Sequence, residues 1–104
     1  MFSAKSLPAL NWPTLRIKKL YLVGISPATT NALSSINIDW ANSTYLGGTN
    51  EVQINYANLS ATEINRIFAA LPSVTSKTIN VQSCTGSAGC DPTIATAKGW
   101  IVGR

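Results

Sequence analysis

Histidine is absent from this chain of 104 residues, and carboxylates are few. The four acidic residues lie far apart in the sequence, at Asp39, Glu51, Glu63 and Asp91. A serine nucleophile would therefore lack its usual histidine base, and no carboxylate pair is available for acid and base catalysis. Two cysteines without histidine do not fill the tetrahedral site that zinc requires. We predict a protein that is not an enzyme and that binds no metal or cofactor.

Charge is also scarce, because only 12% of the residues are charged, against about 25% in typical soluble proteins. The net charge is +4, but the basic residues are scattered apart from Arg16, Lys18 and Lys19. A nucleic-acid footprint needs a clustered basic face with interleaved aromatics, so we expect no nucleic-acid partner. Ser, Thr and Asn replace the missing charges, which suits a surface buried against other subunits or an extracellular setting.

Long apolar runs are missing as well. None approaches the roughly 20 residues of a membrane span, and the N-terminus lacks the apolar core and small-residue cleavage site of a signal peptide. We therefore predict no membrane partner. An extracellular location would require another route, such as assembly in a particle released by lysis.

What the sequence does contain is a recurring apolar-x-apolar triplet. Three copies follow one another at a constant interval and two looser copies come after them: Leu20-Tyr21-Leu22, Ile36-Asn37-Ile38, Val52-Gln53-Ile54, Ile79-Asn80-Val81 and Ile101-Val102. In each copy the residues at i and i+2 point to one face of a strand, while the residue between them faces away. Such repeats with turn-rich spacers are typical of a solenoid. We expect an α/β fold, a short solenoid with one parallel sheet whose strands lie near 20–23, 36–39, 52–55, 78–82 and 101–102.

The spacer after the third triplet predicts a helix. Ser60 and Glu63 fit a capping box, in which the Ser hydroxyl and the Glu carboxylate each accept a backbone N–H of the other residue. Apolar residues then recur at i, i+3, i+4 and i+7, at Ile64, Ile67, Phe68 and Leu71. This stripe predicts a helix near 61–71 that Pro72 ends.

A second, shorter helix is predicted near 92–98. Asp91-Pro92 is typical of a helix start, with Asp as the N-cap and Pro in the first helical position. The spacers at 24–35 and 39–51 are rich in Ser, Thr, Asn, Gly and Pro, which favours loops or single helical turns.

The segment Val52-Gln53-Ile54-Asn55-Tyr56-Ala57-Asn58-Leu59-Ser60 resembles the strand-and-turn segment of a leucine-rich repeat. In that segment two apolar residues flank a polar one, and a later apolar residue turns inward after an Asn. The run from Leu59 to Val102 is similar to C-terminal repeats of leucine-rich proteins among bacteroidete surface proteins and tailed-phage virion proteins. The resemblance implies a right-handed solenoid with a non-catalytic role, and it assigns no site residues.

Residues 1–16 are predicted to form an extended N-terminal arm beside a solenoid domain at 17–104. Pro8 and Pro13 break any helix there, and isolated apolar anchors stand at Phe2, Leu7, Leu10 and Trp12. Such an arm either caps the first coil or docks on a partner. We predict partner binding by these anchors and by three aromatics that either form a binding face, for example for glycans, or pack between coils: Trp40, Tyr45 and Tyr56.

Cys84 and Cys90 are the only cysteines, and they enclose a short, flexible loop. A disulfide between them would remove little chain entropy, worth about 2 kcal/mol on the loop-closure model, but it would fix the turn before the last helix. The alternative is a pair of reduced thiols packed in the coil. We favour the disulfide, which points away from a reducing cytosol.

These patterns favour a structural or adhesive component of a larger assembly, located in a phage virion as a capsid decoration, fibre or tail-associated protein. Its partners would be other structural proteins of the assembly or further copies of itself. The alternative is a leucine-rich-repeat module of a bacterial surface protein, extracellular or on the cell surface, that binds a cell-surface protein or a glycan.

Overall fold

A computed structural model describes residues 2–3, 8–44 and 50–104, without the side chains of residues 2, 3 and 50. The strands in this part of the chain are β1 (Phe2–Ser3), β2 (Ala9–Trp12), β3 (Leu20–Val23), β4 (Ser35–Ile38), β5 (Asn50–Asn55), β6 (Lys77–Asn80) and β7 (Trp100–Gly103). The helices are α1 (Ala61–Ala70) and α2 (Thr93–Thr96), and single 3₁₀ turns cover Ala28–Thr30 and Trp40–Asn42. The predicted α/β class and both helices are confirmed, although α2 is shorter than expected.

Five strands form one parallel sheet in the order β1-β3-β5-β6-β7. Leu22, in the first triplet, pairs with Ile54, in the third triplet. The first and third triplets are therefore neighbours in this sheet, and the second triplet does not lie between them. The triplet at Ile36-Asn37-Ile38 lies elsewhere.

The prediction that all triplets share one sheet is wrong, because β4 belongs to a second parallel sheet with β2. Leu10 of β2 pairs with Ile36 of β4, and Asn11 pairs with Asn37. The strand predicted near 36–39 therefore forms, but in the other sheet of the fold. The triplet pattern reports which residues of a strand are buried, and it carries no information about which sheet the strand joins.

The apolar positions of the first four copies form the core, as predicted, whereas Ile101 of the truncated fifth copy is exposed because it lies on the outward face of β7. The buried positions of the first four copies are Leu20, Leu22, Ile36, Ile38, Val52, Ile54, Ile79 and Val81. Tyr21 and Asn37, which occupy the middle positions of the first two triplets, are exposed. Burial of one strand face against the rest of the chain is the main source of stability in such a sheet, through the apolar area removed from water.

Helix α1 packs its apolar stripe on this core. Ile64, Ile67 and Phe68 are fully buried, and the Ser60 hydroxyl accepts the Glu63 backbone N–H at 3.1 Å. This confirms Ser60 as the N-cap. In the second hydrogen bond of a capping box the Glu63 carboxylate would accept the Ser60 backbone N–H, but here it accepts the backbone N–H of Ile36.

Glu63 and Arg66 join α1 to the free edge of β4. Glu63 Oε2 accepts the Ile36 backbone N–H at 3.0 Å, and Arg66 Nη2 donates to the Ile36 carbonyl at 2.7 Å. Glu63 and Arg66 also form an ion pair with each other. The two side chains satisfy the backbone groups that a third strand would otherwise pair, so the second sheet ends at β4 on this side.

The segments around α2 are tied to α1 by polar contacts. Lys98 Nζ donates to the carbonyls of Ala69, at 2.5 Å, and Leu71, at 2.8 Å, at the end of α1. The Trp100 indole N–H donates to the Pro72 carbonyl at 2.9 Å. The bonds from Lys98 satisfy carbonyls that the end of a helix leaves without partners.

Candidate binding surface

Three neighbouring strand pairs align side chains on the face of the five-stranded sheet that points away from the core. Tyr21 of β3 pairs with Gln53 of β5, Gln53 pairs with Asn80 of β6, and Asn80 pairs with Gly103 of β7. Because neighbouring strands lie about 4.8 Å apart, paired residues stand side by side. Tyr21, Gln53, Asn80 and Gly103 therefore form a row across the sheet, which we call the outer row.

The outer row offers hydrogen-bonding groups and no charge. Tyr21 is 43% exposed, and the amides of Gln53 and Asn80 are half-buried. Asn80 Oδ1 accepts the Gln82 backbone N–H at 2.9 Å, which fixes the orientation of the amide. A Cβ atom at Gly103 would lie 3.0 Å from Asn80 Cγ, so glycine leaves room for this amide. A phenol beside two amides suits a neutral polar ligand, which can stack on the ring and exchange hydrogen bonds with the amides.

A further acceptor lies one outward position along β5. Asn55 pairs with Val23 of β3, and its Oδ1 is buried without a hydrogen-bond partner in the described part of the chain. Buried polar atoms in folded proteins nearly always have a partner, whether protein or ordered water. Asn55 therefore presents an acceptor that a water molecule or a hydroxyl group of a ligand would satisfy.

The outer edge of β7 is the second exposed feature of this sheet. Among the described residues, β7 is an end strand that pairs with β6. Its sequence, Trp100-Ile101-Val102-Gly103, contains no charged residue and no proline. Ile101 is 56% exposed on the same face as the outer row. Natural proteins usually protect a free strand edge with charge, proline or a bulge, so β7 is a candidate contact surface.

Two of the carboxylates, Asp39 and Asp91, accept hydrogen bonds from neighbouring residues. Hydrogen bonds from the Asn42 side chain and from Arg16 lower the pKa of Asp39, and hydrogen bonds from the Thr93 hydroxyl and N–H lower that of Asp91. Glu51 lies at an irregularity in the pairing of β5, and both of its carboxylate oxygens are buried with no hydrogen-bond partner among the described residues. Across residues 2–3, 8–44 and 50–104, no three Cys, Asp or Glu side chains are close enough together to hold a metal ion.

The basic cluster lies at the start of β3. Arg16 forms an ion pair with Asp39, with 3.3 Å between Nε and Oδ2, while Lys18 and Lys19 are exposed. One of the three charges is therefore partly compensated by a carboxylate. In the part of the chain that the structure covers, no helix has the length and apolar character of a transmembrane segment.

The described residues among those predicted to bind a partner differ in their exposure. Leu10 and Trp40 are buried in the core, and the Trp40 indole N–H points to the Ile36 carbonyl at 3.5 Å. Trp12 is 54% exposed at the end of β2, and Tyr56 is half-buried. The side chain of Phe2 and all of Leu7 and Tyr45 lie outside the described residues. Partner binding by this set stays a prediction.

Both cysteines are buried free thiols in the structure. Cys84 Sγ donates to the Ile54 carbonyl at 3.2 Å, and Cys90 Sγ donates to the Ser87 carbonyl at 3.2 Å. Burial raises the pKa of the Cys84 thiol, which disfavours the reactive thiolate. The predicted disulfide is not formed here, and it stays a prediction for the protein under oxidising conditions.

A buried asparagine was not identified from the sequence. Asn31 Oδ1 accepts the Ile25 backbone N–H at 2.9 Å, and its Nδ2 donates to the carbonyls of Ile25 and Tyr56, each at 2.5 Å. Asn31 therefore ties the loop after β3 to the end of β5. In an Asn-rich spacer nothing distinguishes a buried Asn from an exposed one, whereas the outward positions Tyr21, Gln53 and Asn80 follow directly from the triplet pattern.

Known proteins give no match to this chain. No protein-family model matches it, and neither does any curated protein or any solved structure. The outer row and the β7 edge are therefore interpreted from their own geometry and chemistry.

Proposed function

We propose that the chain is a non-enzymatic structural or adhesive component of a larger assembly, built on a leucine-rich-repeat-like solenoid. The path of the chain supports the solenoid, since β1, β3, β5, β6 and β7 lie in one sheet while β2 and β4 lie in the other. The strand pairs of the first sheet join positions 2 and 22, 22 and 54, 52 and 79, and 79 and 102. Most of these separations fall within the roughly 20 to 29 residues of a leucine-rich repeat.

The observation that carries this proposal is the open edge of β7. A short solenoid leaves its end units uncovered unless a capping segment or another subunit packs on them. In the described part of the chain, β7 is the last strand of the sheet, its uncharged sequence contains two β-branched residues, and its Ile101 is exposed. An edge of this kind is suited to burial in an assembly and is a liability on an isolated monomer.

Within this class we propose a phage virion protein, such as a capsid decoration, fibre or tail-associated protein. The low charge and the resemblance of residues 59–102 to repeats of tailed-phage virion proteins support this assignment. The test is to purify particles from a lysate of the source culture and to quantify the chain by mass spectrometry. We expect a fixed copy number per particle across density-gradient fractions. A chain that remains in the soluble fraction would contradict the virion assignment.

A second candidate function is recognition of a neutral glycan by the outer row, as in a module of a bacterial surface protein. The observation that favours it is an exposed phenol beside two uncharged amides. A sugar ring stacks its apolar face on an aromatic ring and exchanges hydrogen bonds with amides.

A glycan array with the isolated chain, followed by calorimetry on the best binder, tests this second function. Tyr21→Ala should abolish most of the binding. Asn37→Ala is the matched control, because Asn37 is an exposed outward residue of the second sheet and does not belong to the outer row. Equal affinities of the two variants would place any glycan contact away from the outer row.

A further inference from the structure

Two lysines lie beside the outer row, just before the start of β3. Ile17 packs partly buried against the core and Leu20 is buried, while the two residues between them, Lys18 and Lys19, are exposed. Lys19 comes two residues before Tyr21, so the Cα atoms of these two residues are at most about 7 Å apart. A ligand that stacks on Tyr21 is therefore close to a positive charge that the outer row itself does not carry.

No carboxylate pairs with these two lysines in the described part of the chain. All four acidic side chains are buried or engaged elsewhere: Asp39 with Arg16, Glu63 with Arg66, Asp91 with Thr93, and Glu51 in the interior. The surface around Lys18 and Lys19 therefore keeps unpaired positive charge. Such a surface attracts an anionic group on whatever binds there.

Building on the second candidate function, we propose that the glycan bound at the outer row is acidic, with an uncharged sugar on the row and a carboxylate-bearing sugar at Lys18 and Lys19. The uncharged sugar stacks on the Tyr21 ring and exchanges hydrogen bonds with the amides of Gln53 and Asn80. The lysine ammonium groups donate to the carboxylate of the adjoining sugar. Charge complementarity thus selects the class of glycan that this face accepts.

A single-stranded nucleic acid fits this face less well than an acidic glycan does. Such a strand carries a phosphate at every unit, and proteins bind it with a positively charged groove and several stacking aromatics. Here the unpaired charge lies on two neighbouring lysines, and the row beside them provides one exposed aromatic, Tyr21, and two uncharged amides. A ligand with charge at one end and hydroxyl groups along the rest matches this arrangement.

The two lysines should decide specificity more than affinity. An exposed pair of a lysine and a carboxylate changes a binding constant by up to about fivefold, because water and salt screen it. Most of the affinity therefore comes from contacts with Tyr21 and the amides, which acidic and neutral glycans share. The difference between an acidic glycan and its neutral counterpart is the property that reports on the lysines.

Pairs of oligosaccharides that differ only in one carboxylate, with glucuronate or galacturonate in place of the neutral sugar, test the proposal on a glycan array and then by calorimetry with the full chain. We expect the acidic member to bind roughly tenfold more tightly at about 0.15 M salt, and this preference to shrink at about 1 M salt, where screening is stronger. Lys19→Gln should weaken binding of the acidic member roughly threefold and leave the affinity for the neutral member unchanged.

Thr62→Glu is the matched control, because it lowers the net charge by the same amount as Lys19→Gln. Thr62 is exposed on α1, which packs on the core side of the sheet, so this change should alter neither affinity by more than about 1.5-fold.

The possible failures can be told apart. Equal affinities for the acidic and neutral members would overturn the proposal and leave glycan recognition standing, whereas absence of binding to any glycan would overturn both. A single-stranded oligonucleotide that binds as tightly as the acidic glycan, and equally well to Tyr21→Ala, would show general attraction of anions. That result would also overturn the proposal.

Discussion

Ile54 shows how one side chain links the sequence pattern to the core. It is the last apolar position of the third triplet, it is fully buried, and it pairs with Leu22 of β3. Its own carbonyl also accepts a hydrogen bond from the Cys84 thiol. Buried apolar residues of this kind contribute much of the stability of a small domain, because folding removes their large side chains from water.

Replacing Ile54 with Ala should therefore lower the free energy of unfolding by roughly 2 to 5 kcal/mol, through lost apolar burial and the cavity left behind. Urea denaturation followed by circular dichroism measures this difference. Ile101→Ala serves as the control, because Ile101 is exposed on the outer face of the sheet and should change stability little. Similar losses for the two variants would contradict the assignment of Ile54 to the core.

Gly86 and Gly89 provide a matched test of backbone packing in the loop between the cysteines. A Cβ at Gly86 would lie 2.0 Å from the backbone nitrogen of Ala61, whereas a Cβ at Gly89 would lie 3.5 Å from Ala61 Cβ. Gly86→Ala should therefore cost roughly 1 to 3 kcal/mol by overpacking the start of α1. Gly89→Ala should be close to neutral. Thermal unfolding of both variants measures the difference, and equal melting temperatures would show that the loop does not pack on α1 as described.

Among the elements, helix α1 forms only one of the two hydrogen bonds of the capping box that its sequence predicts. Ser60 caps the helix as its sequence predicts, but the carboxylate of Glu63 reaches across to the Ile36 backbone instead of returning to Ser60. Arg66 completes the contact from the next turn of the helix. The helix thereby fixes its own start and also covers the edge of β4.

Ser60→Ala should lower the free energy of unfolding by roughly 1 kcal/mol, because one N–H at the start of α1 loses its partner. Chemical denaturation measures the loss. Thr62→Ala is a useful control, because Thr62 is an exposed residue of the same helix. A silent Ser60→Ala would mean that the hydroxyl does not stabilise the helix start.

The contact of Glu63 with β4 should make stability depend on pH. Burial raises the pKa of Glu63, but hydrogen bonds from Arg66 and from the Ile36 N–H outweigh it and hold this pKa below its ordinary value. A carboxylate with a lowered pKa in the folded state stabilises the fold above its unfolded pKa, about 4.3, and this contribution is lost as the pH falls through the folded pKa.

Unfolding experiments between pH 7 and pH 3 should therefore show a smaller loss of stability in Glu63→Gln than in the wild type. The dependence that remains in the variant is expected from Asp39 and Asp91, whose pKa values are also lowered. Parallel curves for the two proteins would show that the Glu63 carboxylate does not contribute through its charge.

For the molecule as a whole, the N-terminal segment matters because its described residues belong to both sheets. β1 pairs with β3, and β2 pairs with β4 along its full length. Leu10 of β2 is buried against the core. Contact of this segment with a partner, as predicted for the arm, stays a prediction.

Deletion of residues 1–12 should destabilise the isolated chain by more than the roughly 2 kcal/mol of a single buried Leu, because β4 also loses its only partner strand in the described second sheet. Urea denaturation of the truncated chain measures this effect. Trp12→Ala is the control, since Trp12 is largely exposed and should change stability little. A truncated chain of unchanged stability would favour an arm whose contacts lie on a partner.

Local sequence was sufficient to predict which residues of the first four triplets are buried and where α1 begins, but it placed Ile101 of the fifth copy on the wrong face. Alternation of apolar and polar side chains follows from the geometry of a strand, and the Ser60 cap follows from the needs of a helix start, so both are local properties. Three features were decided only by the folding of the whole chain: β4 joins a second sheet, Glu63 binds Ile36, and Asn31 is buried. Each depends on groups that are distant in the sequence, such as Glu63 and Ile36 or Asn31 and Tyr56. A local pattern contains no information about which distant backbone group a side chain will meet.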